Sequence, residues 1–345
     1  MTTIYLVRHG QSEGNLYRFF DGQYNAPLTA LGRKQLAALS RRFQDVDLDA
    51  VFSSDQQRAF YTAQAIALPK GLAVRPMKEF REINNGIWEH MMWAEIDRIW
   101  PGQEDIYAHH MDQWLMPGAE KPQEVAERYI NAMKKLSQRY ENQSIAIVGH
   151  GDALRVTMGF IRGIPLDKIG QDKEYSTNTA VTKLTYDGRE FHVKYVYDYS
   201  HLTPDLIPSA TKYSSLGLTY QLLSPTMEFA IEGIDASGLD RTNGAWIGGY
   251  CQDTPVALIQ MLPSRKSEPG RLGYYYIAPS YRGQHIGIQP LGQAVDSYRK
   301  CGVASVQIEL KTPEMQHFFP KYGFVYVKEN IWELPILPIA PLDMF

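Results

Sequence analysis

Ile4-Tyr5-Leu6-Val7-Arg8-His9-Gly10 decides how the first half of this chain is read. The apolar run is short enough for a buried strand, and it stops at a cation, an imidazole and a glycine. Two further runs end in the same manner. Ala50-Val51-Phe52 leads into Ser53-Ser54-Asp55-Gln56-Gln57-Arg58, and Ile145-Ala146-Ile147-Val148 leads into Gly149-His150-Gly151. Helical patterns lie between and after them: Leu36, Leu39 and Phe43 share one face, as do Val125, Tyr129, Met133, Leu136 and Tyr140. Strands alternating with helices predict an α/β fold, a mainly parallel sheet with helices on both faces. Ligands of such sheets gather beyond the carboxyl ends of the strands, so the three tips are expected to converge. Ser54 and Gln57 have capping-box spacing, which puts Arg58 in the first turn of a helix whose free N–H groups favour an anion. Gly10 and Gly151 are expected to let a ligand approach the backbone.

Outward from these runs, residues 87–118 are rich in Trp, His, Met and Pro and read as an inserted cap. Residues 180–186, a turn at Asp187-Gly188 and residues 191–197 read as a closing hairpin. Pro204, Pro208, Ser209, Ser214 and Ser215 then mark a connection. We therefore expect a first domain at 1–202, a linker at 203–223 and a smaller α+β domain at 224–345. In that second domain, residues 245–250, 256–262 and 272–277 form consecutive strands. A helix with Ile288, Leu291, Val295 and Tyr298 on one face follows, then a strand at 305–310. Three prolines in Leu334-Pro335-Ile336-Leu337-Pro338-Ile339-Ala340-Pro341 exclude a helix there and predict an extended tail.

A length of 345 residues fits two domains of ordinary size. With 44% hydrophobic and 21% charged residues there is ample material for packed cores, which excludes a mainly disordered chain. The net charge of −3 gives no basic excess for a nucleic-acid backbone. Cys251 and Cys301 cannot form a disulfide framework or a four-cysteine metal site. A reduced, cytoplasmic setting is expected, with no leader peptide and no membrane span.

The ordered residues resemble the histidine phosphatase superfamily, also called phosphoglycerate-mutase-like, over about residues 3–202. The match includes Arg8-His9-Gly10-Gln11-Ser12 with Asn15, Pro27-Leu28-Thr29 with Gly32, and Ser53-Ser54-Asp55 with Arg58-Ala59. It continues through Arg81-Glu82, Gly86, Trp88-Glu89, Pro117-Gly118 with Glu120, and Gly149-His150-Gly151. The compact length is similar to the small phosphatase branch. The resemblance implies that His9 is the nucleophile and forms a phosphohistidine that water hydrolyses. It makes Arg8, Arg58, His150 and Gly151 phosphoryl-binding residues helped by Asn15, and Glu82 the acid that protonates the leaving alkoxide.

Elementary chemistry fits those roles. Phosphoryl transfer depends on positioning and charge stabilisation, and two guanidiniums with an imidazole supply both without a metal. The same cations lower the pKa of His9 and keep a ring nitrogen free to attack. Glu82 must be protonated to act as an acid, so burial should raise its pKa. This chain departs from the family in the cap. Trp88-Glu89-His90-Met91-Met92 stands where Trp-Glu-Gly and polar residues are common, and Pro117-Gly118-Ala119-Glu120-Lys121 where Pro-Gly-Gly-Glu-Ser is frequent. His90, His109, His110 and Asp112 have no common zinc spacing and read as solvated or cap-packing side chains.

In the second domain, Tyr274-Tyr275-Tyr276-Ile277-Ala278-Pro279-Ser280-Tyr281-Arg282-Gly283-Gln284-His285-Ile286-Gly287 reads as strand, loop and helix start. It resembles the acetyl-CoA loop of GNAT-type N-acetyltransferases, over about residues 224–335. The resemblance implies acetyl-CoA binding at Arg282, Gly283 and Gly287. His285 stands where glycine is usual, Thr312 where Asn is common, and Phe319 where a Tyr often serves as general acid. A structural module of this fold and a working acetyltransferase both remain open. The expected function is thus a metal-independent phosphomonoesterase acting on a small phosphorylated metabolite. The alternatives are an N-acetyltransferase, a bifunctional enzyme, or a phosphomutase. Expected partners are that metabolite and acetyl-CoA, with neither nucleic acid nor membrane, and a homo-oligomer is compatible with the composition.

Overall fold

The computed structural model describes residues 1–169, 176–208, 218–235, 238–266, 268–342 and 344. The short apolar runs are strands, buried almost throughout as expected where both faces of a sheet are covered. β1 (Thr2–Arg8), β2 (Ala50–Ser53), β3 (Val74–Pro76), β4 (Ser144–Gly149), β5 (Val181–Tyr186) and β6 (Phe191–Asp198) form the first sheet. Its order is β3-β2-β4-β1-β5-β6. Four neighbours, β3 to β1, run parallel, and the β5–β6 hairpin closes the edge antiparallel. Because β2, β4 and β1 are adjacent, the segments leaving them meet at one end of the sheet.

The helices of this domain are α1 (Glu13–Tyr17), α2 (Ala30–Arg42), α3 (Gln57–Ala67), α4 (Trp93–Ile99), α5 (Gln103–His109), α6 (Pro122–Arg139), α7 (Gly151–Ile161) and α8 (Leu166–Ile169). The apolar stripe Val125, Tyr129, Met133 and Leu136 of α6 is buried against the sheet, with Tyr140 at the helix end. The cap segment carries α4 and α5. Its Trp88 is fully buried and packs on Phe20, Tyr107 and Trp114, so the insertion is welded on by an aromatic cluster.

The second sheet contains β7 (Leu218–Leu223), β8 (Ala245–Cys251), β9 (Thr254–Leu262), β10 (Gly270–Ile277), β11 (Ser305–Glu309), β12 (Val325–Lys328) and β13 (Ile331–Pro335). The order is β12-β13-β11-β10-β9-β8-β7, antiparallel except for β10 beside β11. Helices α9 (Ile288–Lys300) and α10 (Pro313–Lys321) complete it. The stretch 203–223, read as linker, is corrected here. Leu218–Leu223 pairs with β8 because Leu218 and Leu223 are buried in the sheet's own core. Leu206 is buried too, and its carbonyl accepts from Gln35. Ser209, Ser214 and Ser215 lie outside the described residues.

The two domains share a core. Tyr17, Phe19 and Met92 of the first pack in one cluster with Ile259, Leu291, Val295 and Phe319 of the second. The proline-rich tail crosses back, its Ala340 carbonyl accepting from Asn25 at 2.8 Å.

Candidate active site

Arg8 and His9 leave β1, Arg58 lies in the first turn of α3 after β2, and His150 and Gly151 link β4 to α7. All four side-chain-bearing residues are buried. The rings of His9 and His150 are 5.1 Å apart, centre to centre. His9 Nδ1 lies 2.6 Å from the Gly10 carbonyl. That oxygen can only accept, so Nδ1 carries the proton and Nε2 is left with its lone pair. Burial, then the charges of Arg58 and Arg8, hold His9 well below the ordinary histidine pKa. Burial and Arg58 do the same to His150. Among the described residues neither ring nitrogen of His150 has a hydrogen-bond partner, so the one that carries the proton is available to donate to an oxyanion.

Arg58 is aimed by main-chain oxygens. Its Nη1 donates to the Tyr24 carbonyl and its Nη2 to the Gly22 carbonyl, each at 2.8 Å. The loop carrying those carbonyls is pinned by Glu89, whose carboxylate accepts from the N–H groups of Gln23, Tyr24 and Asn85 at 2.9 Å. Gln56 adds a brace, donating to Gly22 O and accepting from Glu82 N–H. The expected capping box at Ser54 does not form. The N-cap is Gln56, whose N–H is taken by Ser54 Oγ, while Gln57 N–H goes to Asn25 Oδ1. Arg58 still occupies the first turn, as expected.

Arg8 donates to the Ser176 carbonyl. A Cβ built on Gly151 would come 3.1 Å from the Arg8 guanidinium, and one on Gly10 would come 2.5 Å from Leu36 Cδ1. Both glycines therefore make room for the protein's own Arg8 and α2. Asn15 caps α1 reciprocally with Ser12, and its Oδ1 accepts from Asn178, which also donates to His9 O at 3.1 Å.

Glu82 lies under the start of α7. Its carboxylate accepts from Ile83, Ala153 and Asp152 N–H groups at 3.0, 2.7 and 3.2 Å. Those donors favour the charged form, yet burial and then the charge of Asp152 prevail and push Glu82 up to about 7. Arg58 acts electrostatically on His9, His150 and Glu82 alike, so the residues singled out in the sequence share one field.

A family model described as histidine phosphatase superfamily (branch 1) matches residues 4–199. The chain belongs to the histidine phosphatase superfamily. It is a phosphoric monoester hydrolase of the histidine phosphatase type. A second model, the acetyltransferase (GNAT) family, matches residues 216–324. The chain is similar to a Bacillus subtilis protein named uncharacterized phosphatase PhoE, 28% identical over 59% of this chain and 98% of that protein. It is also similar to a probable phosphoglycerate mutase GpmB of Serratia proteamaculans, 32% identical over 48% and 77%. Among solved structures, Bacillus stearothermophilus YhfR aligns with a TM-score of 0.56 and 31% identity, covering 58% of this chain and 99% of that one.

Other motif residues hold the superfamily frame in place. Arg81 Nε donates to Asp55 at 2.7 Å, and Arg128 pairs with Glu120 while donating to Glu82 O. Sequence reasoning passed over Gln56, Asn178 and Asp152. Gln56 sits inside a quoted motif and Asp152 directly follows Gly149-His150-Gly151, but nothing local to Asn178 marks it. The histidines weighed for metal do not assemble. His109 is exposed at the end of α5, whereas His90 faces the second domain. Among the described residues the one metal-type grouping is exposed, at Asp187, Glu190 and His192. No helix among them is long and apolar enough to cross a membrane.

In the second domain, Gly283 has φ +73 and open space around it, and Gly287 immediately precedes α9. Arg282 turns back, donating from Nε to Ile277 O and covering the Tyr276 ring. Phe319 is fully buried in the core, and Thr312 caps α10.

Proposed function

We propose that the first domain hydrolyses the phosphate monoester of a small metabolite through His9. The single observation that carries this reading is a buried His9 with Nδ1 tied to Gly10 O, its ring 5.1 Å from that of His150 and under the charges of Arg58 and Arg8. His9 Nε2 attacks phosphorus, the P–N bond forms and the P–O bond to the leaving group breaks. Arg8, Arg58 and His150 bear the charge on the equatorial oxygens, with Asn15 and Gly151 shaping the cradle. Glu82, neutral below about pH 7, gives its proton to the departing oxygen and then takes one from the water that hydrolyses the phosphohistidine. The cytoplasm suits a chain whose two cysteines, Cys251 and Cys301, form no disulfide.

Activity is measured across sugar phosphates, phosphoserine, phosphoglycerates and p-nitrophenyl phosphate, with EDTA present. Turnover by the wild type, loss in His9→Ala and radiolabel trapped on His9 support the proposal. Equal rates for both proteins would overturn it. The same panel reports phosphoglycerate isomerisation, the outcome that favours a mutase.

For the second domain we infer acetyl-CoA binding along Arg282, Gly283 and Gly287, supported by the family match over residues 216–324 and by the open backbone at Gly283. Calorimetry with acetyl-CoA tests it, and no heat at millimolar cofactor would overturn it.

A further inference from the structure

The cap's departure from its family, His90-Met91-Met92 after Trp88-Glu89, has a structural counterpart. His90 keeps a left-handed backbone, φ 61, which a glycine adopts without strain and a side chain does not. Its ring lies between two aromatic rings of the first domain, 3.6 Å from Tyr24 and 4.6 Å from Phe19, both stacked. Nε2 reaches Asp296 of α9 at 2.9 Å, across the domain boundary. Met92 is buried in the shared core and touches Gln293 of the same helix. The main chain is zipped as well: His90 N–H donates to Phe20 O at 2.6 Å and Phe20 N–H to Met91 O at 2.8 Å. α9 approaches this closely because Gly292 lies against Tyr17, where a Cβ would come 2.6 Å from the tyrosine.

The segment clamped in this way is the one that aims Arg58, through the Gly22 and Tyr24 carbonyls. We propose that the second domain is a working part of the phosphate cradle: Asp296 holds the His90 ring, the ring holds Tyr24, and the Tyr24 carbonyl holds Arg58. His90 and Asp296 are positioning residues that reach the reacting phosphate only through others. The inference rests on the reading of Arg58 as a phosphate ligand. It accounts for imidazole at a left-handed position, where glycine would have no side chain to reach Asp296. Other charges surround the contact. Asp21 lies 3.9 Å from His90 Nδ1, Lys300 2.8 Å from Asp296, and Arg299 bridges Asp296 to Glu13 of α1.

The test uses the full chain, with inorganic phosphate as competitive inhibitor of p-nitrophenyl phosphate hydrolysis at 25 °C. His90→Asn keeps a residue that tolerates the left-handed backbone but is too short to reach Asp296. Asp296→Asn removes the charge from the other side. Each is expected to weaken phosphate inhibition and lower kcat/KM by about tenfold, with native circular dichroism, and the double variant to do no worse than either. Glu13→Gln breaks a different ion pair across the same boundary, to Arg299, and is expected to leave phosphate affinity within about twofold. Unchanged phosphate inhibition in both single variants overturns the proposal, as does an equal loss in Glu13→Gln, which would mean that loosening the boundary anywhere suffices. If one variant does not fold, the other decides alone. A wild type that neither binds phosphate nor hydrolyses esters would instead remove the phosphatase reading.

Discussion

Glu82→Gln should make the protein more stable in alkali while nearly silencing it on alkyl phosphates. In the folded chain this carboxyl titrates at about 7, against 4.5 for a solvated glutamate. Between those pH values the folded state holds a proton that the unfolded state has released, so wild-type stability falls as pH rises through the window. The loss is complete above about pH 8 and amounts to about 3 kcal/mol. Gln carries no such penalty. It can keep the oxygen that accepts from Ile83 and Ala153, but its amide would face the Asp152 N–H, a pH-independent cost of about 1–3 kcal/mol. The quantity to measure is the difference between the two proteins in urea, at pH 4 and at pH 8. It should move by about 3 kcal/mol in favour of Gln, and the neutral buried histidines cancel because both proteins contain them. Hydrolysis of alkyl phosphates should fall by about 10²–10⁴, with a smaller loss on p-nitrophenyl phosphate, whose leaving group needs no proton. A stability difference that stays flat between pH 4 and pH 8 would refute the reasoning, because Glu82 would then be ionised in the native state.

Three further outcomes are expected. Arg58→Lys loses the fork that spans the Gly22 and Tyr24 carbonyls, so kcat/KM should drop about 10²–10³-fold in steady-state assays while the fold survives. Because burial and two arginines depress His9, the acidic limb of the kcat/KM profile should lie below 6.5, the ordinary histidine value, and move up toward it in Arg58→Ala. Gly86→Ala should destabilise the cap by more than about 2 kcal/mol in urea unfolding, since φ is +59 and the added Cβ would sit 2.2 Å from Pro117 O.

The strand tips were legible because each is a local pattern, an apolar run cut off by Arg-His-Gly, Ser-Ser-Asp or Gly-His-Gly. The meander of the second domain was legible for the same reason. β7 was not, since Leu218–Leu223 lies beside a Ser- and Pro-rich stretch and acquires its strand character only by pairing with β8. Nor was Asn178, which reaches His9 across 169 residues of chain.

By itself the sequence determined which chemical groups this protein gathers at the strand tips, because residue type and order along a βαβ chain fix what emerges at each one. Only the tertiary structure decided what aims them. Carbonyls of Gly22 and Tyr24, the burial that raises Glu82 to about 7, and the reach of His90 to Asp296 are properties of packing between segments far apart in the chain. Desolvation and main-chain direction belong to no residue in particular, so no stretch of sequence could have displayed them.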